Sequence, residues 1–112
     1  MIDPDTAALR EAVLQSLRMV IDPELGENLV DLGLIYRLDI TAGGRARIEM
    51  STTTKGCPAA AYLKDAVQSA AWIVPGVEHV EVILSYDPPW TPALISDAIL
   101  DRFNAAGGGS AR

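Results

Sequence analysis

The stretch ARIEMSTTTKGCPAAAYLKDAV, residues 46–67, changes its period in the middle and thereby decides the fold. Its first half alternates between apolar and charged residues, which is typical of a half-buried strand. The residues that share the inner face are Ala46, Ile48, Met50 and Thr52, and those expected on the outer face are Arg45, Arg47, Glu49 and Ser51. Its second half opens a segment with apolar residues at helical spacing, at Leu63, Val67, Ala70 and Val74. We therefore expect a strand, a short loop, and a helix whose first residue is Pro58, with Cys57 as its cap.

The flanking sequence extends this pattern in both directions. A helix is expected over roughly residues 4–20, and the irregular segment 21–33 should form turns or a short helical turn. The alternation of apolar residues predicts a strand whose inner face carries Leu34, Tyr36, Leu38 and Ile40. The glycines at 43 and 44 predict a hairpin turn after it. A third strand follows in 77–86, with Ser85 outward, and a last helix is expected from Thr91-Pro92 to residue 99.

These elements predict an α+β fold, a two-layer sandwich with the order helix-strand-strand-helix-strand-helix. A small mixed three-stranded sheet should carry the helices on one face and leave a charged face open. A right-handed crossover would place the third strand parallel to the second. One domain is expected over residues 1–104, and AAGGGSAR, residues 105–112, should be a disordered tail.

The charge and composition exclude several classes of partner. The chain has 112 residues and a net charge of -6, with scattered basic residues, so neither nucleic acid nor an anionic membrane is expected to bind it. Its apolar runs are too short to span a bilayer, and no signal peptide is recognisable. A single cysteine excludes an internal disulfide, so we expect a reducing compartment, the cytoplasm.

The cysteine is the first candidate functional residue. At a helix start, free N–H groups and the helix dipole would favour the thiolate of Cys57. Gly56 would leave the sulfur uncovered, and the hydroxyls of Thr52, Thr53 and Thr54 could bond a sulfur-bound ligand. The alternative is that Cys57 is a small buried hydrophobe.

One thiolate restricts the chemistry. The only histidine, His79, should lie on the charged sheet face, which disfavours a Cys-His dyad. A structural zinc site needs about four Cys or His ligands, and iron–sulfur clusters usually take several thiolates. A cluster would therefore need a second subunit, a partner protein or carboxylates. Carboxylates are present in DPELGENLVD, residues 22–31, at Asp22, Glu24 and Asp31. For any single one of these acids, capping and solvation are the more common roles.

The segment DPPWTP, residues 87–92, places Trp90 between prolines. A rigid aromatic residue in such a turn can be a packed corner or an exposed anchor for a protein partner.

Three segments together resemble the SufT-like family, also called the MIP-eighteen family or domain of unknown function fifty-nine. They are VIDPELGENLVDLGLIY (20–36), TTTKGCP (52–58) and YDPPWTP (86–92). The resemblance implies the predicted fold, a role in iron–sulfur cluster assembly, a reactive cysteine at Cys57, and site residues at Asp22, Glu24, Thr53 and Thr54. The sequence departs from the family pattern at Ser51, Lys55 and Ala59. Lys55 stands in place of a proline and would bring a cation near the thiol.

We therefore expect an accessory factor rather than a catalyst, a single SufT-like domain that holds a transient iron–sulfur cluster or iron. Cys57 would be the metal ligand, and the expected supporting residues are Asp22, Glu24, Asp31, Thr53, Thr54, Gly56 and Trp90. Its partners would be the assembly machinery and client apoproteins, with a homodimer as one source of further ligands. The alternatives are a metal-free adaptor module, including one that assembles an aromatic-ring oxygenating complex, and a thiol transferase or redox enzyme. No P-loop motif occurs, so a carrier ATPase is not expected.

Overall fold

The computed structural model describes residues 4–56 and 58–96, which fold as two helices packed on a three-stranded sheet. The elements are α1 (Pro4–Leu17), β1 (Ile35–Thr41), β2 (Arg45–Met50), α2 (Ala60–Trp72), β3 (His79–Leu84) and a 3-10 helix (Pro92–Leu94). The α+β class and the order of the first five elements are confirmed.

The predicted last helix is reduced to a single turn within the described residues. Thr91 is extended and Pro92 opens the turn as expected, but the 3-10 helix ends at Leu94 because Ile95 is again extended. The remainder of that prediction, residues 97–99, and the predicted tail at 105–112 lie outside the described residues.

The sheet has the order β1-β2-β3, with β1 and β2 antiparallel and β2 and β3 parallel, as predicted. Gly43 and Gly44 make the hairpin turn with φ of 90° and 76°, values that residues with a side chain rarely adopt. In the parallel pair, Met50 lies opposite Leu84. Both strands therefore run toward the same edge of the sheet, where the loop after β2 begins.

One face of the sheet forms the core and the other is charged. The helices contribute residues at the predicted spacing, although Ala71 and not Ala70 is the buried alanine of α2. The largest fully buried side chains of the helices and strands are Val13, Leu17, Ile48, Met50, Leu63 and Val67. The outer face carries the ion pairs Arg37–Asp39 and Arg47–Glu81, at 2.7 and 3.4 Å. The open charged face is confirmed, and His79 is exposed on it as expected.

A bulge in β1 changes the predicted inner face at one position. The register shifts between Ile35 and Arg37, so Ile35 lies opposite the inward-facing Met50 and packs against the core. Tyr36 is the extra residue, and its hydroxyl donates to the Pro88 carbonyl oxygen at 2.7 Å. The prediction that Tyr36 shares the inner face with Leu38 is therefore wrong, because strict alternation does not hold across a bulge.

The segment between α1 and β1 is anchored rather than loose. Leu29, Leu32 and Leu34 are fully buried, and the N–H of Leu29 donates to the Val20 carbonyl oxygen at 3.0 Å. Such burial fixes the turns that lie between these leucines. The acidic residues of the segment are thereby held in defined positions.

The start of α2 differs from the prediction by two residues. Its first backbone hydrogen bond runs from the Leu63 N–H to the Ala59 carbonyl oxygen at 2.9 Å, and Ala59 is the N-cap residue without a side-chain cap. Pro58 belongs to the preceding turn. A proline fixes its own φ, but this alone does not close a helical hydrogen bond, so Pro58 precedes the helix instead of opening it.

Candidate functional site

The loop that follows β2 begins with two buried hydroxyl residues. Ser51 and Thr52 are 0% and 1% exposed, and the Ser51 N–H donates to the Leu34 carbonyl oxygen at 2.8 Å. Thr52 continues the inner face of β2 as predicted. Ser51 was expected on the outer, charged face, and this is wrong because its backbone is tied to the chain that enters β1. The loop therefore leaves the sheet from a buried, hydrogen-bonded base.

Thr52 connects two of the three segments that the sequence singled out. Its hydroxyl donates to the Thr54 carbonyl oxygen at 2.7 Å and lies 2.8 Å from the hydroxyl of Tyr86. A carbonyl oxygen can only accept, so the single Thr52 proton is directed to Thr54 and the Tyr86 hydroxyl must donate to Thr52. This chain of two hydrogen bonds joins the segment after β3 to the loop after β2.

Glu24 connects the third segment to the same loop. Its Oε1 accepts a hydrogen bond from the Thr53 hydroxyl at 2.9 Å. Asp22 is 2% exposed, and its Oδ1 accepts from the backbone N–H groups of Glu24 and Leu25 at 2.7 and 2.9 Å. Asp22 thus holds the turn that presents Glu24, and it faces the backbone rather than a ligand.

Asp31 belongs to a different cluster. Its Oδ1 lies 2.6 Å from the Arg18 guanidinium, and its Oδ2 accepts from the Asn28 side-chain amide at 2.9 Å. The Asn28 side-chain oxygen in turn accepts from the Asp31 N–H at 2.9 Å. These contacts fix α1 against the segment that follows it. The structure therefore does not bring Asp31 to the loop with Glu24.

The end of the loop is exposed. Thr54, Lys55 and Gly56 are exposed, and Gly56 has φ of +79° with nothing within 4 Å of the position a Cβ would take. A positive φ of this size is a conformation that favours glycine over residues with a side chain. Cys57, the predicted metal ligand, lies outside the described residues, so its role stays a prediction.

Trp90 occupies a half-buried corner. Its indole N–H donates to the Leu32 carbonyl oxygen at 2.6 Å, and its ring packs against the core. These contacts favour the packed-corner interpretation over a fully exposed anchor, although part of the ring stays accessible.

A cavity of about 300 Å³ separates the loop from this corner. It is lined by Thr52, Thr53, Lys55, Tyr86, Pro89 and Trp90. The cavity therefore lies between the TTTKG loop and the YDPPW corner. Glu24 does not line it but is hydrogen-bonded to Thr53, which does.

Metal ligands are few in the described part of the chain. Residues 4–56 and 58–96 contain no group of three or more His, Cys, Asp or Glu that could hold a metal ion. The Glu24 carboxylate is hydrogen-bonded to the loop through Thr53.

Tyr86 is a site residue that the sequence motifs did not indicate, although a signal for it exists. Thr52 and Tyr86 each lie two residues beyond the paired residues Met50 and Leu84, and both follow the inner-face alternation. Two inward polar side chains at equivalent ends of parallel neighbours must meet each other or water. The strand register could therefore have predicted their hydrogen bond.

A family model described as an iron–sulfur cluster assembly protein matches residues 10–82. The chain belongs to this iron–sulfur cluster assembly family. The resemblance to SufT-like proteins is confirmed by two relatives. The chain is 42% identical over 84 residues to the Fe-S protein maturation auxiliary factor YitW of Bacillus subtilis, covering 75% of this chain and 82% of the relative. It is 37% identical over 78 residues to the auxiliary factor SufT of Staphylococcus aureus, covering 70% and 89%.

The fold is shared as well. A crystal structure of a domain of unknown function, DUF59, from Bacillus anthracis superposes with a TM-score of 0.83 at 32% identity, covering 89% of this chain and 95% of that one.

No helix within residues 4–56 and 58–96 has the length and apolarity needed to cross a membrane.

Proposed function

We propose that this chain is an accessory factor that assists the maturation of iron–sulfur proteins by holding a cluster or iron transiently as cargo, with Cys57 as its thiolate ligand. One observation carries the proposal. Glu24 bonds Thr53, and Tyr86 bonds Thr52, so three separate segments meet at the loop that leads to the chain's only cysteine. The names of the relatives in Bacillus subtilis and Staphylococcus aureus support the same function.

The number of ligands favours transfer over storage. An iron–sulfur cluster usually takes about four protein ligands, mostly thiolates, and this chain has one cysteine. The remaining ligands would come from a second copy of the chain, from the assembly machinery, or from the cysteines of a client apoprotein. A cargo held by so few ligands is exchanged readily, which suits a factor that passes it on.

Glu24 and Thr53 would support the thiolate from the loop that precedes it. The Glu24 carboxylate, held in place by its bond from Thr53 and by the turn that Asp22 caps, is the oxygen ligand that could reach an iron ion at the loop. Thr54 contributes through its carbonyl oxygen, which fixes the loop by accepting from Thr52. Gly56 contributes its left-handed backbone conformation directly before the cysteine.

The proposal assigns an accessory role without catalytic turnover, in the reducing environment of the cytoplasm. It needs no base within reach of the thiol, which agrees with His79 being exposed on the outer sheet face.

Anaerobic reconstitution with iron and sulfide tests the proposal directly. The wild type should develop the visible absorption of a cluster and restore the activity of an apo iron–sulfur enzyme, whereas Cys57→Ser should do neither. Thermal unfolding of both proteins provides the control, since a role limited to ligand binding leaves the melting temperature nearly unchanged. If the apoenzyme matures equally well with Cys57→Ser, the proposed function is wrong.

A further inference from the structure

We propose that the free edge of β3, the one that faces away from β2, is a dimerisation surface on which β3 of a second copy of this chain pairs in antiparallel orientation about Val82. β3 is an edge strand, because the sheet has the order β1-β2-β3 and, among residues 4–56 and 58–96, β3 pairs with β2 alone. The pairing involves only β3, so it goes beyond the proposed function and does not depend on it.

The backbone groups of this free edge come from residues 80, 82 and 84. The Ser85 N–H donates to the Met50 carbonyl oxygen at 2.8 Å, so the N–H of residue 85 points to β2. Successive residues of a strand direct their N–H and C=O groups to opposite sides, so residues 79, 81 and 83 bond β2 as well. The intervening residues direct these groups away from β2, and their N–H groups find no acceptor in the described part of the chain. Such an unpaired row is a template for another strand.

The two edges of the sheet differ in their protection. Exposed edges are usually blunted by a bulge, a proline, a lysine or a covering side chain. β1 has the bulge at Tyr36, and the Arg10 Nε donates to the Leu38 carbonyl oxygen at 3.1 Å. β3, with the sequence HVEVIL, has neither proline nor lysine, and its register with β2 runs without a shift over all six residues. β3 is therefore the edge that is open to pairing.

The free edge is complementary to itself, which favours a second copy as its partner. In antiparallel pairing about Val82, this residue opposes Val82 of the second copy, and Val80 opposes Leu84 of the second copy. Each residue with free backbone groups then faces another one, so all six free N–H groups of the two strands find carbonyl acceptors. Val80 and Val82 belong to the core and Leu84 packs against it. The apolar inner face thus continues from one copy into the other.

The outer face distinguishes this register from its neighbours. In pairing about position 81, Glu81 would oppose Glu81 of the second copy, and like charges directly opposite each other are destabilising. In pairing about position 83, Val80 would oppose Tyr86, which lies beyond the strand. In pairing about Val82, Glu81 opposes Ile83 instead, and its carboxylate keeps the contact with Arg47 of its own chain at 3.4 Å.

Amide hydrogen exchange, followed by nuclear magnetic resonance at low micromolar and at millimolar protein, tests the pairing residue by residue. Two short strands bury less than a standard interface of about 1,600 Å², so the dimer should form only as the concentration rises. The amides of Val80, Val82 and Leu84 should then exchange several-fold more slowly, while sedimentation shows the mass rising toward that of a dimer. The Ile40 amide is the internal control, because it faces away from β2 on the opposite edge of the sheet.

Substitutions of Ile83 test the register through the sign of their effect. Ile83 is half-buried, and in the proposed dimer it opposes Glu81 of the second copy at two symmetric places. Ile83→Lys should lower the dissociation constant about threefold and Ile83→Glu should raise it about threefold, as expected for charged cross-strand pairs. Thr41→Lys and Thr41→Glu are the matched controls, because they change the net charge equally at the exposed end of β1.

Thermal unfolding of each variant separates effects on the fold from effects on the dimer, since Glu49 lies beside position 83 in the same chain. A chain that stays monomeric at millimolar concentration overturns the inference. A dimer with unchanged exchange at residues 80, 82 and 84 does so as well, because it leaves the free edge to another partner. A tighter dimer with Ile83→Glu, or equal shifts with the Thr41 variants, overturns the pairing about Val82.

Discussion

The hydroxyl oxygens of Thr52 and Tyr86 lie 2.8 Å apart, and this contact joins the chain that leaves β2 to the chain that leaves β3. The last paired residues of these parallel strands are Met50 and Leu84, two positions earlier. Parallel neighbours end at the same edge of a sheet, so the register itself brings the two segments together. The fold thereby gives the cysteine loop a fixed base on one side.

Thr52→Val tests whether this contact stabilises the base of the loop. The change keeps the shape of a side chain that is 1% exposed, but it removes the donor to Thr54 and the acceptor of Tyr86. We expect the free energy of unfolding to fall by about 1–2 kcal/mol, since buried groups lose their partners. Urea unfolding monitored by circular dichroism measures this change.

Tyr86→Phe and the double variant separate the two hydrogen bonds of Thr52. Tyr86→Phe removes only the bond between the hydroxyls, so its effect should be smaller than that of Thr52→Val. The double variant should lose less than the sum of the single losses, because both changes remove the same contact. Strict additivity of the two losses would show that Thr52 and Tyr86 do not interact in solution.

Gly33→Ala and Gly56→Ala should differ in their effects on stability although both glycines have positive φ. Their φ values are +77° and +79°, so each alanine pays about 1–2 kcal/mol of backbone strain. At Gly33 a Cβ would also overlap the Leu94 carbonyl oxygen, whereas at Gly56 it meets nothing within 4 Å. We expect Gly33→Ala to have the lower melting temperature by several degrees.

The matched control for these alanines is Gly26→Ala, which has φ of +72° and equally open surroundings. It should behave like Gly56→Ala. Equal melting temperatures for Gly33→Ala and Gly26→Ala would contradict the close packing of the 3-10 helix against the start of β1.

The periodicity of the sequence was sufficient to predict the sheet and the two long helices, because each of these elements buries one face. Alternation over 46–50 and the helical spacing of Leu63, Val67 and Val74 match burial in the structure. The errors fall where backbone geometry overrides residue preference. Tyr36 is displaced by a bulge, and α2 begins two residues beyond Pro58 because the first helical hydrogen bond forms at Ala59.

The candidate site was only partly predictable, because the local sequence pattern does not show which distant segments contact each other. The sequence indicated Glu24 and Thr53 through a resemblance, and the structure brings them to hydrogen-bonding distance. It also indicated Asp31, seven residues from Glu24, yet the turns between them direct the two carboxylates to different clusters. No periodicity distinguishes two acids in an irregular segment.

Asp31→Asn should lower stability without impairing cluster transfer per folded molecule. It removes the charge that bonds Arg18, and this pair is only partly exposed, with Asp31 at 16%. The free energy of unfolding should fall by about 1–2 kcal/mol, because a hydrogen-bonded ion pair loses one member. Urea unfolding measures the stability, and activation of an apo iron–sulfur enzyme below the unfolding transition measures transfer. A folded Asp31→Asn protein that fails in transfer would restore Asp31 to the site.

Trp90→Phe distinguishes a cluster-transfer factor from a metal-free adaptor. Phenylalanine keeps the aromatic packing on the core but removes the indole N–H that bonds the Leu32 carbonyl oxygen. If Trp90 is a packed corner, the variant should lose about 1 kcal/mol of stability and retain transfer. Unfolding in urea and apoenzyme activation, measured beside Cys57→Ser, give the two readouts.

The adaptor hypothesis predicts that Trp90→Phe impairs function more than Cys57→Ser does. In that case the function would depend on the aromatic corner and not on the thiol. Binding of a client apoprotein, measured by isothermal titration calorimetry without iron or sulfide, would then be weakened by Trp90→Phe and unaffected by Cys57→Ser. Trp72→Phe is the matched control, because Trp72 is 44% exposed at the end of α2 and does not line the cavity. A folded Trp90→Phe protein that loses maturation activity while Cys57→Ser retains it would assign the function to the corner.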